Sequence, residues 1–325
     1  MSSKITQSLS NAFEKRSPFI AKEREDGTNC FRLFGGESDG IPGLIIELWD
    51  RLAVMHVYEA QFTASETDLR AAAAFLTSEL QLTSVYLKEF SKDRNLFSGM
   101  VGFDPTKPFW GEAVEKVDVT EQGLVFEIRP RETFSVGLFL DQRMNRQFIR
   151  GRSAGKNILN LFAYTCGFSV YAASGKATKV SSVDLSGKYL DWGKENFRKN
   201  GLNESDHGWW RGDVFEVLKR LTKRGERFDL IICDPPTFSR DDKGRVFQVA
   251  KDIESLLQAC GPVLSPGGEL LVSSNFTGWN HQTFEEITRR GLGERLAKSI
   301  ALPPVPFDFR GEKEALRAKL YQVKE

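Results

Sequence analysis

An alternation of strand and helix patterns between Asn157 and Ser274 constrains the fold more than any other feature of the sequence. Short apolar runs there predict strands at 157–162, 179–184, 209–211, 228–233 and 269–274, and helical spacing predicts helices at 168–174, 188–200, 214–221 and 246–260. Strands joined through helices form right-handed crossovers and pair in parallel. The sequence therefore predicts an α/β fold built on a doubly wound, mostly parallel sheet.

The chain before this alternation has a different character. Residues 1–26 are polar and mixed in charge and predict an N-terminal arm. Residues 27–116 carry short strand patterns, a turn-rich stretch and one helix that begins at a capping-box sequence, Ser65 to Asp68, which predicts a small α+β domain. Residues 117–325 then comprise a hairpin, turning at Gly123, followed by the α/β domain.

Composition excludes several classes of protein. The chain has 45 Lys and Arg against 44 Asp and Glu, so its net charge does not require an anionic partner. One basic cluster is either a solvated helix face or a phosphate-contacting surface: Arg143, Arg146, Arg150, Arg152 and Lys156. Four scattered cysteines and three histidines predict no metal site. The thiols are unpaired, the first residues are too polar for a signal peptide, and the sequence has no apolar run long enough to span a membrane. These features predict a cytoplasmic protein with no membrane partner.

Residues at the carboxyl ends of the predicted strands are the candidates for ligand binding. The loop after the first strand, residues 160–169, has one glycine, Gly167, where a dinucleotide site requires three. Asp184 ends the second strand about twenty residues later, where an acid accepts ribose hydroxyls. A ligand that contains a ribose but no pyrophosphate is predicted, and S-adenosylmethionine fits this description. Asp184 could instead cap the next helix. Asp213, after the third strand, could accept a hydrogen bond from the adenine amine, cap the helix that begins at Val214, or do both.

The fourth strand ends at Asp234-Pro235-Pro236-Thr237-Phe238, because the two prolines have no N–H group to donate to a neighbouring strand. Such a rigid loop could orient an acceptor nitrogen, with Phe238 stacking on an extruded base. An ordinary proline-stiffened turn is the alternative.

Four segments, in their order and spacing, resemble the large-subunit ribosomal RNA methyltransferases: 133–143, 159–169, 182–186 and 234–238. The resemblance covers 117–274 and implies a Rossmann-like methyltransferase sheet, S-adenosyl-L-methionine as cofactor and RNA, ribosomal by preference, as partner. The segment 36–48 resembles the small domain that forms part of the substrate cleft in this family. Cys166 stands where the family usually has a second glycine, and we interpret it as a packing residue.

The candidate site residues follow from strand position and from this resemblance. The predicted catalytic residues are Asp234, Pro235, Pro236 and Phe238. The predicted cofactor-binding residues are Phe139, Gln142, Asn160, Phe162, Ala163, Tyr164, Thr165, Gly167, Asp184, Leu185, Ser186, Asp213, Val214 and Asp234.

The family contains a cytosine carbon-5 branch and a guanine nitrogen-7 branch, and the residues after the fifth strand favour the second. Carbon-5 methylation needs a cysteine thiolate, which in that branch follows the fifth strand. Here the segment 271–276 reads Leu-Val-Ser-Ser-Asn-Phe, and Cys233 is predicted to be core. The aromatic at 238, one place later than in amine-methylating enzymes, disfavours an exocyclic amine. Three alternatives stay open: carbon-5 methylation, a protein or small-molecule acceptor, and a non-catalytic binding module.

Overall fold

The computed structural model describes residues 4–58, 61–62, 65–90, 104–132, 135–241, 244–311 and 316–325. The helices are α1 (Lys4–Glu25), α2 (Glu66–Leu80), α3 (Arg143–Arg150), α4 (Gly167–Ser174), α5 (Gly187–Lys199), α6 (Val214–Lys223), α7 (Val249–Cys260) and α8 (His281–Leu292). The strands are β1 (Cys30–Gly35), β2 (Leu44–Trp49), β3 (Leu52–Tyr58), β4 (Ser84–Phe90), β5 (Trp110–Gly111), β6 (Val117–Glu121), β7 (Leu124–Ile128), β8 (Asn157–Leu161), β9 (Lys179–Asp184), β10 (Gly208–Arg211), β11 (Phe228–Cys233), β12 (Phe238–Arg240), β13 (Val246–Gln248), β14 (Leu264–Ser274), β15 (Leu296–Ile300) and β16 (Arg317–Val323).

The chain divides into two compact units. The first comprises Met1–Asp141 and Pro306–Lys313, and the second comprises Gln142–Val305 and Glu314–Glu325. In the first unit a five-stranded sheet runs in the order β1-β2-β3-β4-β5, with β3 and β4 parallel and the other neighbours antiparallel. Helices α1 and α2 contact each other and contribute apolar side chains to the same core as this sheet. This is the small α+β arrangement that the sequence predicted.

Two features of the first unit differ from the sequence-based prediction. The predicted arm is mostly helix α1, because Ile5, Leu9, Ala12 and Ile20 recur at helical spacing and are buried in the core of this unit. The β6–β7 hairpin also belongs to this unit, since Asn29 N–H donates to the Thr120 carbonyl at 2.9 Å. The first unit therefore extends past residue 116 to Asp141. The functional roles assigned to the predicted domains stay predictions.

The second unit contains a seven-stranded sheet in the order β10-β9-β8-β11-β14-β16-β15. The first five of these strands are parallel, and β16 is antiparallel to both of its neighbours. Helices α4 and α5 pack together, as do α6, α7 and α8, and right-handed crossovers place these two groups on opposite faces of the sheet. The doubly wound, mostly parallel α/β fold is thus confirmed.

The core of the second unit lies between this sheet and α6 and α7. Strand residues such as Leu159, Ile231 and Leu270 pack there with Leu221 of α6 and Leu256 of α7, all fully or almost fully buried. Each such side chain contributes about 1.5–3 kcal/mol of burial free energy. This core fixes the strands whose carboxyl ends carry the candidate site. Among the described residues, no helix is long and apolar enough to span a membrane, and no cluster could hold a metal ion.

Candidate active site

Strand order reverses between β8 and β11, which lie side by side at the centre of the second sheet. Cys233, the last residue of β11, is in register with Leu161 of β8 and Val272 of β14. The segments that follow these strands therefore meet at one edge of the sheet. A ligand site in an open parallel sheet is expected at this position.

The loop after β8 is held in an unusual backbone conformation. Phe162, Tyr164 and Cys166 have positive φ angles of 57°, 49° and 64°. Such conformations cost about 1–3 kcal/mol each and persist only where the surroundings impose them. Here the Ala163 N–H donates to the Val183 carbonyl at 2.9 Å, and the Cys166 N–H donates to the Ala163 carbonyl at 2.7 Å. The loop is thereby pre-organised at the centre of the sheet edge.

Asp184 ties this loop to the start of α5. Its Oδ2 accepts a hydrogen bond from Tyr164 N–H at 2.8 Å, and its Oδ1 accepts one from Ser186 N–H at 2.8 Å. Burial raises the pKa of Asp184, and these two backbone bonds oppose that increase. The N-cap of α5 is Ser186, whose hydroxyl accepts from Tyr189 N–H, so Asp184 is not the helix cap. Each carboxylate oxygen has a second lone pair that a ribose hydroxyl can use.

Asp213 is the N-cap of α6. Its Oδ1 accepts a hydrogen bond from Glu216 N–H at 3.1 Å, and Arg245 Nη1 lies 4.0 Å from the same oxygen. The capping role expected for this residue is therefore present. Its role toward adenine stays a prediction.

Asp234 follows β11 and is held by a chain of polar side chains. The Ser273 hydroxyl donates to Asp234 Oδ1 at 2.6 Å, Gln142 Nε2 donates to Ser273 Oγ at 3.0 Å, and Asn145 Nδ2 donates to Gln142 Oε1 at 2.8 Å. Burial raises the pKa of Asp234, while hydrogen bonds from Ser273 and Gln142 and the charge of Arg146 lower it. The carboxyl group is thus fixed in orientation at the sheet edge.

The prolines after Asp234 separate this carboxyl group from a short hairpin. Pro235 is buried and Pro236 is exposed, and Thr237 Oγ1 donates to Asn275 Oδ1 at 3.3 Å. Phe238 then begins β12 with 49% of its surface exposed. Residues 246–248, which were predicted as the start of a helix, form β13 instead, because they pair with β12.

The remaining predicted residues occupy three kinds of position. Ala163 and Gly167 lie in the loop and at the start of α4, next to the Asp184 contacts, and Leu185 is half-buried between Asp184 and Ser186. Other side chains are interior: Gln142, Asn160, Thr165 and Val214. Asn160 donates to Ser169 Oγ at 2.8 Å, behind the loop. Phe139 belongs to the first unit and is exposed, and residues 133 and 134 of the first resembling segment lie outside the described residues.

Every cysteine of the chain is buried. Burial raises the pKa of Cys166 to about 12. The pKa of Cys233 lies above its usual value because Cys260 hydrogen-bonds to it and burial penalises the thiolate. Cys166 packs against Gly193 of α5, where a Cβ would come within 2.8 Å of the Cys166 Cβ. This glycine supplies the space that the cysteine needs.

The predicted basic cluster is not an exposed patch. Arg143 and Arg146 are buried, and Lys156 and Arg152 both bind Glu269, the lysine at 2.9 Å. Two of these cations are therefore internal, and two others are paired with Glu269, which lies more than a hundred positions later in the sequence. Sequence reasoning also missed Asn145, Gly193 and Ser273, of which only Ser273, at the end of a predicted strand, carried any local signal.

Comparisons with known proteins show which proteins this chain is similar to. The family model for S-adenosylmethionine-dependent methyltransferases matches residues 78–318. Ribosomal RNA large subunit methyltransferase I of Aeromonas salmonicida is 33% identical over 272 residues, which cover 82% of this chain and 65% of that protein. A ribosomal RNA large subunit methyltransferase of Deinococcus radiodurans is 32% identical over 312 residues, 91% of this chain and 73% of that protein. The solved structure of SMU.776 complexed with SAH has a TM-score of 0.85 at 27% identity, covering 98% of this chain and 81% of that one. The chain thus spans just under two thirds of the length of the Aeromonas relative.

Proposed function

The chain belongs to the S-adenosylmethionine-dependent methyltransferase family, and we propose that it methylates a base nitrogen of large-subunit ribosomal RNA. The names of the Aeromonas and Deinococcus relatives support ribosomal RNA as the substrate. Nitrogen 7 of guanine is the favoured acceptor. We place this activity in the cytoplasm, where unpaired thiols stay reduced.

The residues around Asp184 fit S-adenosylmethionine. The Asp184 carboxylate, fixed by two backbone N–H groups, would accept hydrogen bonds from the ribose hydroxyls. The loop from Phe162 to Cys166 would line the amino-acid part of the cofactor, and Asp213 would accept the adenine amine. When bound, the cofactor supplies a methyl group on a positively charged sulfur.

The burial of all the thiols is the observation that favours nitrogen over carbon 5. Attack on a cytosine ring needs an accessible thiolate, whereas each of the four cysteines is buried. Burial further raises the pKa of Cys166 and Cys233. At the end of β14 the chain has Ser273, which is bound to Asp234. A ring nitrogen already has a lone pair, so it needs alignment and charge compensation only.

Asp234 would supply that charge compensation. Methyl transfer moves positive charge from sulfur to the base, and an ionised carboxylate beside the base stabilises the developing charge. Pro235 and Pro236 keep the loop rigid, and the exposed ring of Phe238 offers a stacking face for the extruded base. No proton has to leave a ring nitrogen such as nitrogen 7, so this assignment requires no general base.

The direct test is to incubate the protein with methyl-labelled cofactor and unmodified large-subunit ribosomal RNA, and then to identify the labelled nucleoside by mass spectrometry. We expect label in 7-methylguanosine. Label in 5-methylcytidine or in an exocyclic amine would contradict the nitrogen-7 assignment. A protein that binds cofactor but labels no RNA would contradict the RNA substrate and leave a protein acceptor, a small-molecule acceptor or a binding module.

A further inference from the structure

The β12–β13 hairpin, which follows the Asp234 loop directly, presents two different faces. The paired residues are Phe238 with Gln248, Ser239 with Phe247, and Arg240 with Val246. Paired residues share a face and successive residues alternate between faces. Phe238, Arg240, Val246 and Gln248 therefore lie on one face, the outer face, and Phe247 lies on the other.

The inner face anchors the hairpin to the candidate site. Phe247 is buried, and its ring centroid lies 5.3 Å from that of Phe162 and 6.5 Å from that of Phe215. Phe162 belongs to the loop after β8, one of the predicted cofactor-binding segments. The hairpin is thus positioned by the loop beside which the methyl donor would bind.

The outer face exposes apolar surface. Phe238 is 49% exposed and Val246 is 42% exposed. Among the described residues, five large apolar side chains are exposed, and two of them share this small face. Clustered apolar exposure next to a catalytic loop is typical of a surface that a partner covers.

Arg240 adds a cationic side chain to the outer face of the hairpin. Arg245 neutralises nearby carboxylates: its Nε donates to Asp241 at 2.8 Å, and its Nη1 donates to Glu216 at 3.2 Å. Arg240 is exposed, and within the described part of the chain no carboxylate lies within 4.0 Å of it. An arginine that has no carboxylate partner among the described residues, directly opposite an exposed apolar side chain, provides one cationic and one apolar contact about 5 Å apart.

We propose that this outer face binds an unpaired RNA strand, with Phe238 and Val246 contacting bases and Arg240 pairing with a backbone phosphate. The inference rests on the proposed RNA substrate and adds the class of RNA. Stacking on an aromatic ring beside a cation is how proteins hold single strands, because every base has a stacking face. A duplex would keep its bases paired and leave the apolar side chains without contact. The acceptor base therefore lies in a loop or single-stranded segment.

The test measures binding of a labelled oligoribonucleotide of about 12 nucleotides, alone and annealed to its complement, by fluorescence anisotropy with SAH present. We expect the single strand to bind more tightly than the duplex. The Phe238→Ala variant should bind the single strand about 5- to 150-fold more weakly. The Arg240→Ala variant should reduce the slope of log affinity against log salt by about 0.7, the effect of one lost phosphate contact.

Two variants serve as controls. Arg240→Lys keeps the charge and should restore the salt slope. Lys298→Ala removes an exposed cation from β15, at one edge of the seven-stranded sheet and outside the hairpin, and should leave the slope unchanged. All variants should bind SAH like the parent protein in calorimetry.

Three outcomes separate the two hypotheses. Equal affinity for duplex and single strand, or an Arg240→Ala slope equal to that of the parent, overturns the hairpin inference even if ribosomal RNA is methylated. A parent protein that binds SAH but methylates no RNA overturns the proposed function. The expected salt slopes, together with methylation of ribosomal RNA, support both the hairpin inference and the proposed function.

Discussion

Replacing Gly193 with alanine tests how the loop after β8 accommodates Cys166. The added Cβ would lie within 2.8 Å of the Cys166 Cβ and closer still to its Sγ. The cysteine has little freedom to move, because its φ is 64°, its N–H donates to Ala163, and its carbonyl accepts from Val170 at 2.9 Å. The clash is therefore expected to displace the loop.

The expected loss of stability follows from opposing contributions. Overpacking costs about 1–3 kcal/mol, and alanine in place of glycine within a helix recovers about 0.5–1 kcal/mol. The net effect of Gly193→Ala is a loss of about 0.5–2 kcal/mol, which lowers the Tm by a few degrees in a domain of this size. Cys166→Gly alone should be almost neutral, because relief of left-handed strain, about 1–2 kcal/mol, offsets the lost packing.

The double variant Cys166→Gly/Gly193→Ala should recover parental stability and SAH affinity, with a coupling energy of about 0.5–2 kcal/mol. Denaturant unfolding and calorimetry with SAH measure both quantities. Gly187→Ala at the start of α5 is a matched control, because the added Cβ meets only the flexible side chain of Arg211. Additive effects of the two changes, or a Gly193→Ala protein as stable as the parent, would refute the packing argument.

Three further predictions concern the carboxylates of the site. Asp184→Asn should weaken SAH binding at least about 10-fold, since hydrogen bonds to a charged group contribute about 1.5–3 kcal/mol. The control is Asp191→Asn, which changes an exposed carboxylate on α5 and should leave the SAH affinity measured by calorimetry unchanged. Because burial raises the pKa of Asp234, turnover should fall as pH drops through that raised value, and Asp234→Ala should lose turnover but retain SAH affinity. Ser273→Ala removes a bond that lowers this pKa, so the acid limb of the pH–rate profile should move to higher pH, and Ser273→Thr should restore it. An unshifted profile would contradict the Ser273 contact.

The strands at the centre of the second sheet were predictable because their signals are local. The predicted bounds 179–184 and 228–233 coincide with β9 and β11. Both strands are short runs of mostly buried residues, and the residues that follow them mark where each strand ends. Strand β16 carried no comparable signal. It is stabilised by antiparallel pairing with β14, more than forty positions earlier, which no local pattern reports. Helix α1 was missed because its polar composition concealed the buried stripe.

The candidate site was predictable in position but not in contacts. Strand topology alone places Asp184, Asp213 and Asp234 at one edge of the sheet. Which donors each carboxylate binds depends on tertiary packing, so the sequence left capping of α5 as an alternative role for Asp184, a role that Ser186 performs. The same limit explains Arg143 and Arg146: a run of basic residues favours a surface until the fold buries it.

The contacts of Asp234 bear on how a half-buried carboxyl group would serve the proposed transfer of positive charge. Gln142 donates to the Ser273 oxygen, which leaves the Ser273 hydrogen to donate to Asp234. The chain therefore points donors toward the carboxyl group and favours its ionised form, and the charge of Arg146 acts in the same direction. Burial alone would favour the neutral acid. Because these donors are fixed before substrate binds, Asp234 would, in the proposed reaction, stabilise a cationic base without further reorganisation, which is the condition for electrostatic catalysis.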